Sequence, residues 1–293
     1  MGFDYEPDFE EALIKLLKDY GWTGKMLNYP TEEQLIKNWA EILFNNNKGI
    51  DRLNGQPLTE GEMQQILDEI KDLRTPLAIN SFINGKSVSI TRDNPADTLH
   101  FGKEVSLTIY NRLEIASGRS FYQIARQPKF ERHSQILPKR RGDLVLLING
   151  MPVIHVELKS SKMPAMHAVN QITEKYIPEG VFTDSIFSLV QLFVAMNPEE
   201  TMYFANPGID GKFNKAFCFH WADQYNNPIN DWSTIAERLL SIPMAHELIG
   251  YYTVADQTDN TLKVMRSYQY YAASKISRRV SEMKWDDQNI YGG

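Results

Sequence analysis

The sequence predicts an α/β domain: a mixed central β-sheet flanked by helices, with additional helices on its N-terminal side. Three observations carry this. Capped amphipathic stretches open the chain, a pair of apolar strands meets at Asn149-Gly150, and helix and strand patterns then alternate as far as Leu240. Helix, three strands, helix and strand in that order suit a mixed sheet covered by helices.

In order along the chain, residues 8–19 place Leu13, Leu16 and Leu17 at helical spacing, and Gly21 supplies a C-terminal stop. Thr31-Glu-Glu-Gln34 is a capping-box pattern that opens a second helix to about Asn45. Leu58-Thr-Glu-Gly-Glu62 opens a third, to about Leu73. Residues 83–90 read as a hairpin around Asn84-Gly85, and 121–126 as a strand. Further helices are predicted at 165–177 and 231–240, and further strands at 190–196 and 202–204. No internal repeat or low-complexity stretch interrupts them.

The chemistry concentrates between Arg141 and Lys159. Asn-Gly between two apolar runs is a strong hairpin signal, because both residues tolerate positive φ. Strand side chains alternate, so Glu157 and Lys159 share a face. Register decides whether Asp143 joins them. A two-residue loop sets Asp143 opposite Val156 and turns it away. A three-residue loop with a bulge at Gly150 sets it opposite His155, diagonal to Glu157, where two carboxylates can converge on one cation. The bulged register, or an equivalent strand bend, is the expectation. Both strands are apolar on either face, as buried strands are. A buried Asp, Glu and Lys together are costly without a metal or a polar substrate.

Composition sets outer limits. The 293 residues are 42% apolar, enough for one large domain or one plus an appendage. No apolar run reaches the roughly 18 residues of a membrane span, and the acidic N-terminus lacks a signal-peptide apolar region. Gly2 fits the start of a myristoylation motif, but Glu6 breaks it. The single cysteine, Cys218, sits in an apolar run and reads as a core residue, which excludes a disulfide scaffold or zinc cluster and fits cytoplasmic residence. The six histidines show no metal-binding spacing. A net charge of −6 argues against bulk electrostatic binding of nucleic acid. Yet Lys139, Arg140 and Arg141 precede Asp143, and Lys162 follows Lys159, so a hairpin brings these cations to one end as a phosphodiester-backbone contact.

Asp143 followed by Glu157-x-Lys159 is the PD-(D/E)XK nuclease signature, and the string RGDLVLLINGMPVIHVELK resembles the nuclease domain of the restriction (motor) subunit of type I restriction-modification enzymes. The resemblance continues through Asn170-Gln171-Ile172, QLFVAMN (191–197), Tyr203-Phe-Ala-Asn206, Trp221 and LKVMRSYQYYA (262–272), and upstream through Tyr20-Gly21-Trp22. It departs at Gly142, where the family name implies proline. At Tyr176, which follows Gln171 one residue later than in many relatives, and at Ser267, where relatives usually have proline, it departs again.

The resemblance implies a restriction-endonuclease-like core over 1–250 and Mg²⁺-dependent hydrolysis of double-stranded DNA, with Mn²⁺ as a substitute. Asp143, Glu157 and the Leu158 backbone carbonyl would hold the ion, and Glu10 on the first helix is a further candidate ligand. Lys159 would position or deprotonate water or neutralise the transition state, and Gln171 would orient Lys159 or the phosphate. Lys139, Arg140, Arg141, Lys162 and Tyr176 would contact DNA. His155, on the same face, reads as a hydrogen-bonded wall residue. Modification and specificity subunits are the implied partners, with no membrane. A nuclease-like module that docks DNA or subunits without cutting is the alternative.

Met265-Arg-Ser-Tyr-Gln269 resembles the glutamine motif that opens superfamily 2 helicase motors, with Gln269 as a vestigial adenine contact. No GxxxxGK[ST] is present, so residues 251–293 are expected to be a linker and the start of a motor. ATP would be used only by the full-length motor. Residues 265–293 are expected to be a helix that is poorly packed or docked by other contacts.

Overall fold

The computed structural model describes residues 2–115, 118–131, 136–210 and 213–282. Helices come first: α1 (Glu6–Asp19), α2 (Glu32–Asn47), α3 (Glu60–Asp72) and α4 (Pro76–Asn84), with the short strand β1 (Leu27–Asn28) between the first two. The expected capping box forms at Thr31 with Gln34, and a second opens α3 at Thr59 with Glu62. Strands β2 (Ser87–Thr91) and β3 (Glu104–Thr108) pair with each other. They are followed by β4 (Tyr122–Arg126), the short pair β5 (Lys129–Phe130) and β6 (Arg140–Arg141), then β7 (Leu144–Ile148) and β8 (Met151–Leu158). The chain ends through α5 (Met166–Gln171), β9 (Leu192–Asn197), β10 (Glu200–Ala205), α6 (Trp232–Arg238), α7 (Met244–Gly250), the hairpin β11 (Thr253–Asp256) and β12 (Thr261–Val264), and α8 (Ser267–Glu282).

A six-stranded sheet in the order β1-β4-β7-β8-β9-β10 forms the centre. Pairing of β1 with β4 and of β8 with β9 is parallel, and the rest is antiparallel, so the sheet is mixed as predicted. Every residue of β7 and β8 is buried. Helix α5 lies on β8 and β9, and α1 packs on α6, where Phe3, Phe9 and Trp232 form an aromatic cluster.

The expected hairpin at 83–90 is not there. Thr75 caps α4 by accepting from the Ala78 N–H at 3.1 Å, Pro76 takes the first turn, and Ile79, Phe82 and Ile83 bury one helical face. Asn84-Gly85 therefore ends a helix, and Lys86 (φ 73°) turns the chain into β2. The segment after residue 250 adds a hairpin and a helix. Leu262 and Val264 of the hairpin are buried, and α8 buries only Ser267 but lays Tyr270 and Tyr271 against Trp221. Residues 283–293 lie outside the described part.

The register of β7 and β8 decides the site. Ile148 faces Met151 and Leu147 faces Pro152 across a two-residue turn, with Asn149 at φ 53° and Gly150 at φ 85°. The bulge expected at Gly150 lies instead inside β8. Past Val153 the pairing slips by one, so Leu146 faces Ile154, Val145 faces His155 and Leu144 faces Val156. Pro152 is the physical reason, since a residue with no N–H to give interrupts a ladder and favours a bulge. The slip carries Asp143 across from Glu157, rather than diagonal to it.

Candidate active site

Backbone contacts anchor each end of the site. The Asp143 carbonyl accepts from the Gln127 N–H at 2.7 Å, and Asp143 Oδ2 accepts from the Leu158 N–H at 2.7 Å. Asp143 is thereby stapled to the strand that carries Glu157 and Lys159. The Lys159 ammonium donates to the Leu158 carbonyl at 2.6 Å and lies 3.6 Å from Glu157 Oε1. Asp143, Glu157 and Lys159 are thus brought together, as the hairpin predicted.

Glu157 is 1% exposed and ringed by donors. Gln171 Nε2 and the Tyr176 hydroxyl, the latter at 3.3 Å, both donate to Oε1. His155 Nε2 lies 3.1 Å from Oε2. Gln171 therefore orients Glu157, where Lys159 or the phosphate was the expected target. Tyr176 is also placed differently. It was expected as a DNA contact, but it is 2% exposed, and its hydroxyl sits 2.5 Å from Gln171 Nε2 and 3.1 Å from the Arg141 carbonyl.

The spacing of Gln171 and Tyr176 has a local cause. After α5 the helix widens into a π-helical turn over Ile172–Tyr176, closed by the Ile177 N–H on the Ile172 carbonyl at 2.9 Å. In a π turn, residues five apart stack as residues four apart do in an α-helix. The extra residue is absorbed, and both side chains reach Glu157. Deleting exposed Glu174 should restore an α-helical turn and keep stability within about 1 kcal/mol of wild type. Tyr176→Phe should destabilise the fold by about 2 kcal/mol by removing one hydrogen bond to a charged group. Urea unfolding measures both, and a Glu174 deletion as destabilised as Tyr176→Phe would contradict the π-turn account.

Burial and the facing Glu157 charge push the Asp143 carboxyl up to about 8. Burial likewise pushes Glu157 up to about 7 against the pull of Lys159. Two carboxyls held this close resist ionising together, and a cation between them removes that conflict. Two hard oxygen donors with room for water suit Mg²⁺, which keeps much of its hydration. Among the described residues, no cluster of three or more His, Cys, Asp or Glu is arranged around a metal position. Glu10, expected as a further ligand, is committed elsewhere: Oε1 pairs with Arg126 Nε at 2.5 Å, and Gln127 Nε2 reaches both oxygens. The Leu158 carbonyl, also expected on the ion, holds the Lys159 ammonium.

A cleft of about 290 Å³ opens at Asp143 and Leu158, bordered by Glu6, Glu10, Gln127 and Arg141. A second, of about 760 Å³, is lined by Lys129, Lys139, Arg140 and Arg141. Lys139 and Arg141 are exposed there. Arg140 is locked to Glu179 by two bonds of 2.8 and 2.6 Å, so it braces the cleft wall. Lys162 is exposed and lies 3.4 Å from Asp4. Lys129 was missed, because it stands far from the other cations in sequence and joins them only through β5–β6 pairing. Gln269 accepts from the Arg266 N–H at 2.9 Å and so caps α8.

Fold and site together define a mixed α/β domain with a carboxylate–lysine cluster on a bulged hairpin. The chain belongs to the family described as Type I restriction enzyme R protein N terminus, whose model matches residues 6–211. It is 29% identical over 284 residues to the endonuclease subunit of the type I restriction enzyme SsaAORF53P of Staphylococcus saprophyticus, covering 95% of this chain and 28% of that protein. The SauCOLORF180P endonuclease subunit of Staphylococcus aureus is 28% identical over 286 residues, with 96% and 28% covered. The EcoprrI endonuclease subunit of Escherichia coli is 27% identical over 293 residues, with 99% and 87% covered. The chain thus spans little more than a quarter of the staphylococcal relatives. No helix among the described residues is long and apolar enough to cross a membrane.

Proposed function

We propose that this chain is the nuclease domain of a type I restriction subunit, hydrolysing phosphodiester bonds of double-stranded DNA with Mg²⁺, or Mn²⁺ in its place. The observation that carries the reading is the meeting of Asp143, Glu157 and Lys159 on one face beside an open cleft. Asp143 and Glu157 would hold the cation, and the Leu158 carbonyl would join them only if the Lys159 ammonium left it. When bound, the cation polarises the phosphoryl group and offsets charge on the leaving oxygen. Lys159 neutralises charge that builds on the scissile phosphate or orders the attacking water. Gln171 and Tyr176 hold the Glu157 carboxylate in place. Lys129, Lys139 and Arg141 engage the DNA backbone without reading sequence.

The relatives are endonuclease subunits, so we place the chain in a complex with modification and specificity subunits, in the cytoplasm. Residues 251–293 would lead into a motor that uses ATP. The test is plasmid cleavage by the reconstituted complex with Mg²⁺, Mn²⁺ or EDTA. Cutting that depends on the cation supports the reading. DNA retention with no cutting under any condition supports the docking alternative, and cutting in EDTA removes the metal from the mechanism.

A further inference from the structure

His155 is fully buried on the catalytic face, in a cage of Phe130, Tyr176, Phe182 and Phe193. An apolar side chain would suit that cage better. The imidazole carries a cost there, because Nδ1 is buried with no hydrogen-bond partner among the described residues. What it gains is the 3.1 Å contact of Nε2 with Glu157 Oε2. The other Glu157 oxygen is held by Gln171 and Tyr176, and among the described residues His155 is the one that fixes the second. Once Glu157 is ionised, as it must be to hold a cation, its oxygen only accepts, so the ring then carries its proton on Nε2 and leaves Nδ1 as an orphan acceptor.

A neighbour makes room for the ring. A Cβ on Gly142 would stand 2.7 Å from His155 Cε1 and 2.8 Å from Phe130 Cζ. Both rings are packed, Phe130 against Phe182 and Phe187 and His155 against Phe182 and Phe193, so an added Cβ would push the imidazole and Phe130 off their places together. Gly142 and His155 therefore form one device: absence of a side chain on one strand admits a donor on the other.

We propose that His155 is a positioning residue that holds Glu157 Oε2 through Nε2–H, and that Gly142 is required to admit it. The metal-binding part rests on the nuclease reading above. Removing a group that orients a metal ligand typically weakens metal binding about 10- to 100-fold. Calorimetric titration of this chain with Mn²⁺ should therefore show at least about tenfold weaker binding for His155→Leu and for Gly142→Ala. His155→Gln, whose amide can donate from the same place, should recover most of it. The double variant Gly142→Ala/His155→Leu should be no weaker than either single one, because both break the same contact. Tight binding by His155→Leu, or failure of His155→Gln to rescue a folded protein, overturns the proposal.

If wild type itself takes up no Mn²⁺, the nuclease reading fails and a second readout decides for His155. ¹⁵N spectra of histidine-labelled chain should show His155 as the Nε2–H tautomer, with its resonance shifted in Glu157→Gln. An Nδ1–H tautomer, or no response to Glu157→Gln, refutes the contact without reference to any metal.

Discussion

Glu157→Gln, Asp143→Asn and Lys159→Met are each expected to abolish DNA cleavage by the assembled complex while leaving the domain folded. Each change keeps side-chain volume and removes a charge from a buried corner, so the packing of β7 and β8 is undisturbed. Loss of either carboxylate leaves a single charged donor opposite the cation position. Loss of the ammonium leaves the phosphate charge uncompensated as the transition state forms. Metal-assisted polarisation contributes several kilocalories, and about 4 kcal/mol corresponds to roughly a thousandfold in rate. The effects should be far from additive, because the three groups act on the same atoms. Double variants should therefore fall little below the singles. Supercoiled plasmid nicking gives the rate, and circular dichroism with thermal melting checks the fold. Cleavage near the wild-type rate by any of the three would take that residue out of the mechanism.

The parts of this site that were legible in the sequence are those that depend on neighbours along the chain. Side-chain alternation puts Glu157 and Lys159 on one face wherever the strand lies, and the capping boxes at Thr31 and Thr59 announce their helices locally. The bulge was foreseen in kind and misplaced in position. Asn149-Gly150 drew it to the turn, whereas Pro152 two residues on was the signal for a slip inside β8. At α4 the Asn84-Gly85 pair outweighed Thr75-Pro76, a cap followed by a first-turn proline that marks a helix start. Strand β1 carries no periodicity in two residues, and only its parallel pairing with β4 makes it a strand. Tyr176 could be placed only once the π turn was known, and His155 only once Phe130, Phe182 and Phe193 had gathered around it from distant parts of the chain.

The two carboxyls should also make the folded domain sensitive to alkali. In the absence of divalent cations, stability is expected to fall as the pH rises from about 6.5 to 8.5. An unfolded carboxyl releases its proton near pH 4. In the folded chain, burial and the Glu157 charge keep Asp143 protonated up to about 8, and burial keeps Glu157 protonated up to about 7. Across that window the folded state holds protons that the unfolded state has lost, so each further rise in pH favours unfolding. His155 works in the opposite direction, but its pKa is pushed down to about 4 by burial, so its contribution is complete above about 6.5. One pH unit against one such group is worth about 1.4 kcal/mol, and the two groups together lose about two units across the window, which makes the loss roughly 3 kcal/mol. Asp143→Asn, neutral at every pH, should flatten the curve and leave the variant more stable than wild type at about pH 8.5. Saturating Mg²⁺ should offset the wild-type loss, because a cation that binds only the folded state replaces the missing protons. Urea unfolding in EDTA at both pH values, with and without added Mg²⁺, gives all of these quantities. Parallel curves for wild type and Asp143→Asn would mean that Asp143 does not share a buried, charge-starved corner with Glu157.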